Sequence, residues 1–255
     1  MRFASLGSGS QGNALVVESG GTRLLVDCGF GLAEAEARLA RLGLAAADLD
    51  AVLLTHEHDD HAGGAARFAR RHALPLYLTY GTLCALGAEP RGPAQVHVIG
   101  SDARFAIGAI EVEPYPVPHD AREPVQYVLG DGAVRLGVLT DAGEITPHIV
   151  RVLGAVEALV IECNHDRELL ANGPYPAALK RRIGGRFGHL DNESAAALLG
   201  RLDRARLQHV IAAHLSRQNN TPELARAALA RALGCAPREV GVADQAEGFG
   251  WREIA

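Results

Sequence analysis

Residues 55–61 read Thr-His-Glu-His-Asp-Asp-His, three imidazoles interleaved with carboxylates in one short stretch. On a helix, His56, His58 and His61 would point in three directions, because offsets of two and five do not repeat with the helical period. On a loop that leaves a strand they can converge. The preceding Asp50-Ala51-Val52-Leu53-Leu54 is a short apolar run that reads as a buried strand, and Gly63-Gly64 lies just beyond the cluster. Imidazole nitrogen and carboxylate oxygen suit divalent metals of intermediate hardness such as zinc, manganese or iron. Four clustered ligands exceed what one catalytic metal with an open position needs. The cluster therefore predicts a two-metal site, one of whose usual tasks is to split a phosphate ester.

The 255 residues are 48% hydrophobic, enough for one large domain over 1–255 with a sizeable core. No run approaches the roughly 20 apolar residues that span a bilayer. The start, Met1-Arg2-Phe3-Ala4-Ser5-Leu6-Gly7, reads as a first strand rather than a signal peptide. Cys28, Cys84, Cys163 and Cys235 are dispersed and fit reduced, mostly buried thiols of a cytoplasmic protein. A net charge of −5 excludes a polycationic footprint over the whole molecule. Locally, no acidic residue stands between Glu168 and Asp191, whereas Lys180, Arg181, Arg182 and Arg186 do. Charge alone leaves that segment open between a solvated helix face and a phosphate-binding surface.

Patterning predicts strands at 2–6, 13–18 and 22–27, then a helix at about 32–42 with Ala33, Ala37, Ala40 and Leu44 on its apolar face. A strand at 51–55, a helix at 62–72 and a strand at 75–79 follow. Further strands are expected at 95–99, 103–107, 109–115, 125–130 and 133–139. The second half reads as a helix near 146–153, a strand at 157–162 and helical pieces at 176–183 and 191–203. A strand at 207–213, a helix at 221–233 and closing strands near 239–243 and 248–253 complete it. Gly20-Gly21, Glu89-Pro90-Arg91-Gly92-Pro93 and Gly130-Asp131-Gly132 mark turns. Asp191 and Thr221 are expected helix caps, with Pro222 at a first helical position. No internal repeat is visible. Hairpin-rich segments in each half, each with helices, predict two sheets packed face to face with helices outside.

A two-metal loop needs further ligands, and the best candidates follow predicted strands: His119, Asp141 and His214. His72, His97, His148 and His209 lack that context and read as surface or hydrogen-bonded histidines. Asp27 also ends a strand and could orient a ligand imidazole. The ordered set Asp27, His56/His58/Asp60/His61, His119, Asp141 and His214 resembles the metal-binding signature of the metallo-β-lactamase fold, and the resemblance spans essentially the whole chain. It implies an αββα sandwich of two facing mixed sheets. It also implies that His56, His58 and His119 hold one divalent ion, that Asp60, His61 and His214 hold a second, and that Asp141 bridges them.

This fold hosts β-lactamases, thioester hydrolases, phosphodiesterases and nucleases, so the substrate needs other marks. Asp141 stands where β-lactamases themselves carry cysteine, which favours hard-oxygen substrates and metals beyond zinc. From Asp141 to His214 is 73 positions (214 minus 141), too few for the inserted β-CASP-type domain of the RNase J and mRNA-cleavage branch. The ordered segments Ser8-Gly9-Ser10-Gln11-Gly12-Asn13, His119-Asp120-Ala121-Arg122-Glu123-Pro124, Glu162-Cys163-Asn164-His165-Asp166, Gly188-His189-Leu190-Asp191-Asn192-Glu193 and His214-Leu215-Ser216-Arg217-Gln218-Asn219-Asn220 together resemble the YycJ/WalJ group of that fold. The resemblance implies 5′-to-3′ exonuclease activity on DNA ends bearing a 5′-phosphate. It also implies two divalent ions that activate water, manganese or zinc foremost and iron or magnesium as further choices. In that frame Asp60 orients the water or takes its proton. His189 assists the leaving group, as a histidine in a like position does in the related tRNA-processing branch. Ser8, Ser10, Asn13, His165, Lys180, Arg181, Arg182, Arg186, Arg217 and Asn219 are candidate substrate contacts. Tyr175 and Phe187, beside the basic segment, could stack a terminal base. For the glycine-rich turn at 8–13, a plain hairpin connection fits the residues equally well. Two alternatives stay open: a phosphodiesterase for small molecules or cyclic nucleotides, and a non-catalytic regulatory protein that senses through the site.

Overall fold

Leucine and β-branched side chains build β1 (Arg2–Gly7), β2 (Ala14–Ser19) and β3 (Thr22–Val26) into an antiparallel meander. The turn at Gly20-Gly21, both at positive φ, joins β2 to β3. The shorter apolar strands β4 (Ala51–Leu53), β5 (Leu76–Thr79) and β6 (Val96–Ile99) then add in parallel. A second sheet repeats the plan. Strands β7 (Phe105–Ile107), β8 (Ile110–Pro116), β9 (Val125–Gly130) and β10 (Arg135–Leu139) pair antiparallel, and β11 (Ala158–Glu162), β12 (His209–Ala213) and β13 (Gly241–Val242) continue in parallel. Strand β14 (Phe249–Glu253) returns to the first sheet and pairs with β1. This is a computed structural model describing residues 1–87 and 95–255; the turn expected at Glu89-Pro90-Arg91-Gly92-Pro93 lies outside the described residues.

Nine helices are found among the described residues: α1 (Leu32–Arg41), α2 (Asp59–Ala62), α3 (Ala65–His72), α4 (Tyr80–Ala85), α5 (Pro147–Val152), α6 (Arg167–Asn172), α7 (Ala177–Ile183), α8 (Asn192–Leu199) and α9 (Pro222–Leu233). Three apolar layers result. Phe3, Val17 and Leu24 meet Val112, Tyr127 and Val160 between the sheets. Leu39 of α1 and Phe68 of α3 pack outside the first sheet. Ile149, Leu198 and Leu229, from α5, α8 and α9, pack outside the second. The αββα sandwich is thus the observed architecture.

Several local expectations change. The buried face of α1 is Ala35 and Leu39, while Ala33, Ala37 and Ala40 are exposed. In so alanine-rich a helix, alanine spacing carries little contrast, and the leucines decide which face goes in. The helix expected at 62–72 is two pieces, α2 and α3, with the first beginning at Asp59 inside the histidine cluster. Helices α4 and α6 were not signalled by periodicity. Their caps were legible: Thr79 accepts from Thr82 N, and Asp166 from Glu168 N and Leu169 N. Asp191 and Thr221 cap α8 and α9 as expected. Of the four thiols only Cys28 and Cys163 are buried; Cys84 is exposed and Cys235 half-buried. No described helix is long and apolar enough to cross a membrane.

The parallel halves bring the carboxyl ends of β3 and β4 in one sheet to the same edge as those of β10, β11 and β12 in the other. That edge is where open α/β sheets bind ligands. Two buried tyrosines fix strand positions near it: Tyr115 donates to Val138 O and Tyr127 to Leu54 O, both at 2.6 Å. Tyr127→Phe would leave the Leu54 carbonyl unpaired between the sheets. It should cost about 1–3 kcal/mol, read as a lower denaturant midpoint; an unchanged midpoint would refute this role.

Candidate metal centre

Strand β4 delivers Leu54, Thr55 and His56 to the sheet edge. Thr55 is held on both sides, its N–H donating to Asp27 Oδ1 at 2.9 Å and its carbonyl accepting from Val125 N at 3.0 Å. His58 stands at the N-cap of α2, so Asp60 and His61 sit on one helical turn that folds back over residues 28–30. Two glycines permit this closeness. A Cβ on Gly29 would lie 2.0 Å from Asp60 O, and one on Gly64 would lie 1.8 Å from Phe30 O. Asp27 and His214, which directly follow β3 and β12, both have positive φ, 61° and 55°. That conformation is uncommon for residues other than glycine and marks local strain at both ends of the site.

Hydrogen bonds on one side of each ring fix what the other side offers. His61 Nδ1 donates to Asp27 Oδ2 at 2.8 Å. The Thr55 hydroxyl donates to Asp27, so its oxygen accepts from His56 Nδ1 at 2.9 Å. His119 Nδ1 donates to Gly188 O at 2.9 Å, and His214 Nδ1 to Glu162 Oε1 at 3.2 Å. The four Nε2 atoms therefore face inward. Those of His56 and His119 lie 3.1 and 3.2 Å from His58 Nδ1, three ring nitrogens converging on one point. His214 Nε2 lies 3.1 Å from Asp60 Oδ2, and His61 Nε2 3.0 Å from Asp141 Oδ2. The sets His56/His58/His119, Asp60/His61/His214 and His56/His61/Asp141 each bring ligand atoms within 4.8 Å of one another. Asp141 stands between the two trios, and its buried Oδ2 accepts no well-formed hydrogen bond. Ring nitrogens converging around a buried carboxylate oxygen form, once deprotonated, a donor set that fits divalent cations.

Electrostatics agree. Asp27, Asp141 and Glu162 are at most 3% exposed, a costly concentration of negative charge unless cations answer it. Burial opposes ionisation of Asp60 and Asp141, yet the neighbouring histidines hold both below the usual carboxylate range. Burial likewise opposes charge on His214, but Asp141, Asp60 and Glu162 raise it to about 10. His56, buried and beside His61, is driven well below its ordinary value and offers a neutral ring.

Glu162 is the functional residue that sequence reasoning missed. It ends β11 with no exposure. Its Oε2 accepts from Ala142 N and Leu190 N, and its Oε1 from His214 Nδ1 and, at 2.7 Å, His189 Nδ1. One buried carboxylate thus orients the candidate ligand His214 and the candidate acid His189. The available signal was an acidic residue closing an otherwise apolar strand. His189 is half-buried, which disfavours its charge, but Glu162 raises its pKa above the ordinary histidine value.

The other candidate contacts separate into groups. Ser10, Arg182 and His189 line a cleft of about 340 Å³ over the centre. Ser8 and Asn13 turn inward: Ser8 Oγ accepts from His214 N and donates to Asn13 Oδ1, while Asn13 Nδ2 reaches Asp60. Their polar atoms brace the site from below. Asn219 is fully buried against Ser216, and His165 is buried beside Asn164. Arg217 borders a neighbouring pocket. In the basic segment, Lys180 donates to Ala171 O, Arg182 pairs with Asp120 at 2.6 Å and Arg186 with Glu144 at 2.8 Å; Arg181 is exposed. Phe187 is exposed outside the cleft lining, whereas Tyr175 is part of it. Among the remaining histidines, His72 bonds to Glu36 and His209 to Glu253 O.

Because His214 is held to about 10 in the apoprotein, it is protonated at pH 7. Asp60 and Asp141 are already ionised. Metal binding at pH 7 should therefore release protons, and affinity should weaken as pH falls. Calorimetric titration with a divalent ion in buffers of different ionisation enthalpy measures this. Heats independent of the buffer would contradict the proposed ligand role of His214.

Residues 22–214 match the family model of the beta-lactamase superfamily domain. The chain is 37% identical over 237 residues to the exodeoxyribonuclease YycJ of Bacillus anthracis, covering 91% of this chain and 89% of that one. It is 34% identical over 245 residues to the exodeoxyribonuclease WalJ of Streptococcus pneumoniae serotype 2, covering 94% and 91%. Among solved structures, the metallo-beta-lactamase fold protein YhfI from Bacillus subtilis superposes with a TM-score of 0.75 at 18% identity, with 98% of each chain covered. The chain belongs to the metallo-β-lactamase superfamily, within the group that contains YycJ and WalJ.

Proposed function

We propose that the chain is a metal-dependent phosphodiesterase that works as a 5′-to-3′ exonuclease on DNA. It would use two divalent ions, one held by His56, His58 and His119, the other by Asp60, His61 and His214, with Asp141 between. The observation that carries this reading is the pair of ligand trios around the orphaned Asp141 oxygen, in the same cleft as His189. When bound, the ions supply a water of lowered pKa and a polarised phosphodiester. The protein's residues do the rest. Asp60 orients the attacking water or accepts its proton. His189, its Nδ1 proton given to Glu162, keeps Nε2 for proton transfer to the leaving oxygen, and its raised pKa suits a general acid near neutrality. The ligand sets contain no thiolate. Burial pushes Cys28 up to about 12 and Cys163 well above the ordinary thiol value, so both remain protonated. All-nitrogen and oxygen ligation suits manganese as well as zinc. DNA as the substrate is supported by the names of the two relatives, matched over about nine-tenths of the chain.

Asp60→Asn and His61→Ala should abolish hydrolysis while circular dichroism shows an intact fold; full activity in either purified variant would sink the reading. His189→Ala should lower kcat by about 10²–10⁴ with bound metal, measured by elemental analysis, near the wild-type level. A chelator should silence the protein, and manganese or another divalent ion should restore it. The substrate is tested by giving the loaded protein 5′-phosphorylated oligonucleotides and a chromogenic phosphodiester. Stepwise release from the 5′ end supports the exonuclease. Turnover of the small ester alone supports a small-molecule phosphodiesterase, and no turnover with any divalent ion favours a regulatory protein.

A further inference from the structure

The cleft over the metal centre is lined by two kinds of chemistry. His58, Asp60, Asp141, His189 and His214 supply imidazole and carboxylate, while Tyr175, Leu179 and Ile183 supply apolar surface. Leu179 and Ile183, four residues apart on α7, share one helix face. Tyr175 precedes the helix by two residues, between Pro174 and Pro176. Proline restricts its own φ and the conformation of the residue before it, so the backbone at Tyr175 has little freedom to lose on binding. No residue of α7 is fully buried, and the half-buried Leu179 and Ile183 belong to none of the three apolar layers, so packing against a core does not account for this apolar face. It is nevertheless held in place. Lys180 Nζ donates to Ala171 O at 2.7 Å, Arg182 Nε to Asp120 Oδ2 at 2.6 Å, and His189 N to Ile183 O at 2.8 Å. The last contact fixes the apolar wall to the residue that carries His189.

We propose that the Tyr175–Leu179–Ile183 wall is a nucleobase subsite, which holds the base of the nucleotide whose phosphate lies over the histidines. This rests on the nuclease reading above and deepens it. A cleft of about 340 Å³ is at the small end for ligand sites and has room for one nucleotide-sized group. Phosphate and sugar belong against the polar wall, which leaves the flat apolar part of the nucleotide for the other. An aromatic ring with two aliphatic side chains grips any base through its face, and so favours a nucleotide over a bare phosphodiester without choosing a sequence. Two of the three basic side chains of α7, Lys180 and Arg182, already bond to protein oxygens and do not supply this grip.

The test compares kcat/KM on two 5′-phosphorylated oligonucleotides that differ only in whether their first two residues carry bases or are abasic, using the manganese-loaded protein. Wild type should prefer the intact substrate by about 5- to 150-fold, the value of one stacked base. Tyr175→Ala and Leu179→Ser should each collapse that ratio towards one, whereas Tyr175→Phe, which keeps the ring, should retain most of it. A merely structural role would lower both rates together and leave the ratio intact. The two truncations are read separately, so a folding defect in one leaves the other to decide. A wild-type ratio near one, or a wild-type ratio in both truncations, overturns the subsite while leaving the nuclease reading in place. If wild type cleaves neither oligonucleotide but turns over a chromogenic diester, the nuclease reading fails and the subsite fails with it.

Discussion

The buried carboxylate of Asp27 is the contact on which the site depends. At 3% exposure it would be prohibitively costly unpaired. It accepts the Thr55 amide, the Thr55 hydroxyl and His61 Nδ1. Those bonds tie the end of β3 to the end of β4 and fix the tautomers of two rings, His61 directly and His56 through Thr55. The positive φ at Asp27 belongs to the same arrangement, because it turns the carboxylate back beneath the loop instead of letting the strand run on. Strain of this kind persists only where surrounding bonds over-determine it, and Asp27 makes three. Glu162 plays the corresponding part for the second sheet, with four donors and two rings, His189 and His214.

The two halves of the chain arrive at this arrangement by the same route. In each described sheet three antiparallel pairings lead into three parallel ones. Each parallel half places carboxyl-terminal strand ends at the common edge. The inter-sheet layer then does more than bury apolar area. By fixing the sheets face to face, with Tyr127 bonded to Leu54 O and Val125 N to Thr55 O, it sets the histidines from one half against Asp141 and His214 from the other. Most of what orients the ligands is therefore carried by rigid elements, which suits a centre that must hold its geometry before substrate arrives.

Much of the fold was legible because short apolar runs and turn residues mark strands well, and the elements from β1 to β14 fall near their expected positions. The candidate ligands could be picked out because chemistry-bearing residues stood at or shortly after the ends of such runs, and the structure brings them together. Where legibility failed, the cause was physical. Alanine spacing could not say which side of α1 faces inward, since alanine buries little surface on any side. One-turn and two-turn helices such as α2, α4 and α6 are too short to show a period, and only α4 and α6 have a side-chain cap to mark them. Glu162 was hidden because a buried acid is recognisable only by its donors, and all four of these, at Ala142, His189, Leu190 and His214, are distant in sequence. Ser8 and Asn13 were read as facing phosphate because polar side chains in a glycine-rich turn give no sign of direction. Their hydrogen bonds to His214 and Asp60 turn them inward.

The same distinction bears on how such a centre would hold a polyanion. The protein's net charge is −5, and of Lys180, Arg181, Arg182 and Arg186, expected from sequence as a candidate track for a phosphate backbone, all but the exposed Arg181 are bonded to oxygens of the protein. An enzyme that follows a long strand electrostatically needs many free cations, and its affinity falls steeply with salt. Here the carboxylates and imidazoles cluster at one point in a cleft of nucleotide size, where bound cations would concentrate positive charge. That economy suits recognition of a strand's end more than of its length. The phosphate would be held by the centre and the base by a small apolar wall, and the remaining surface need contribute little beyond admitting the strand.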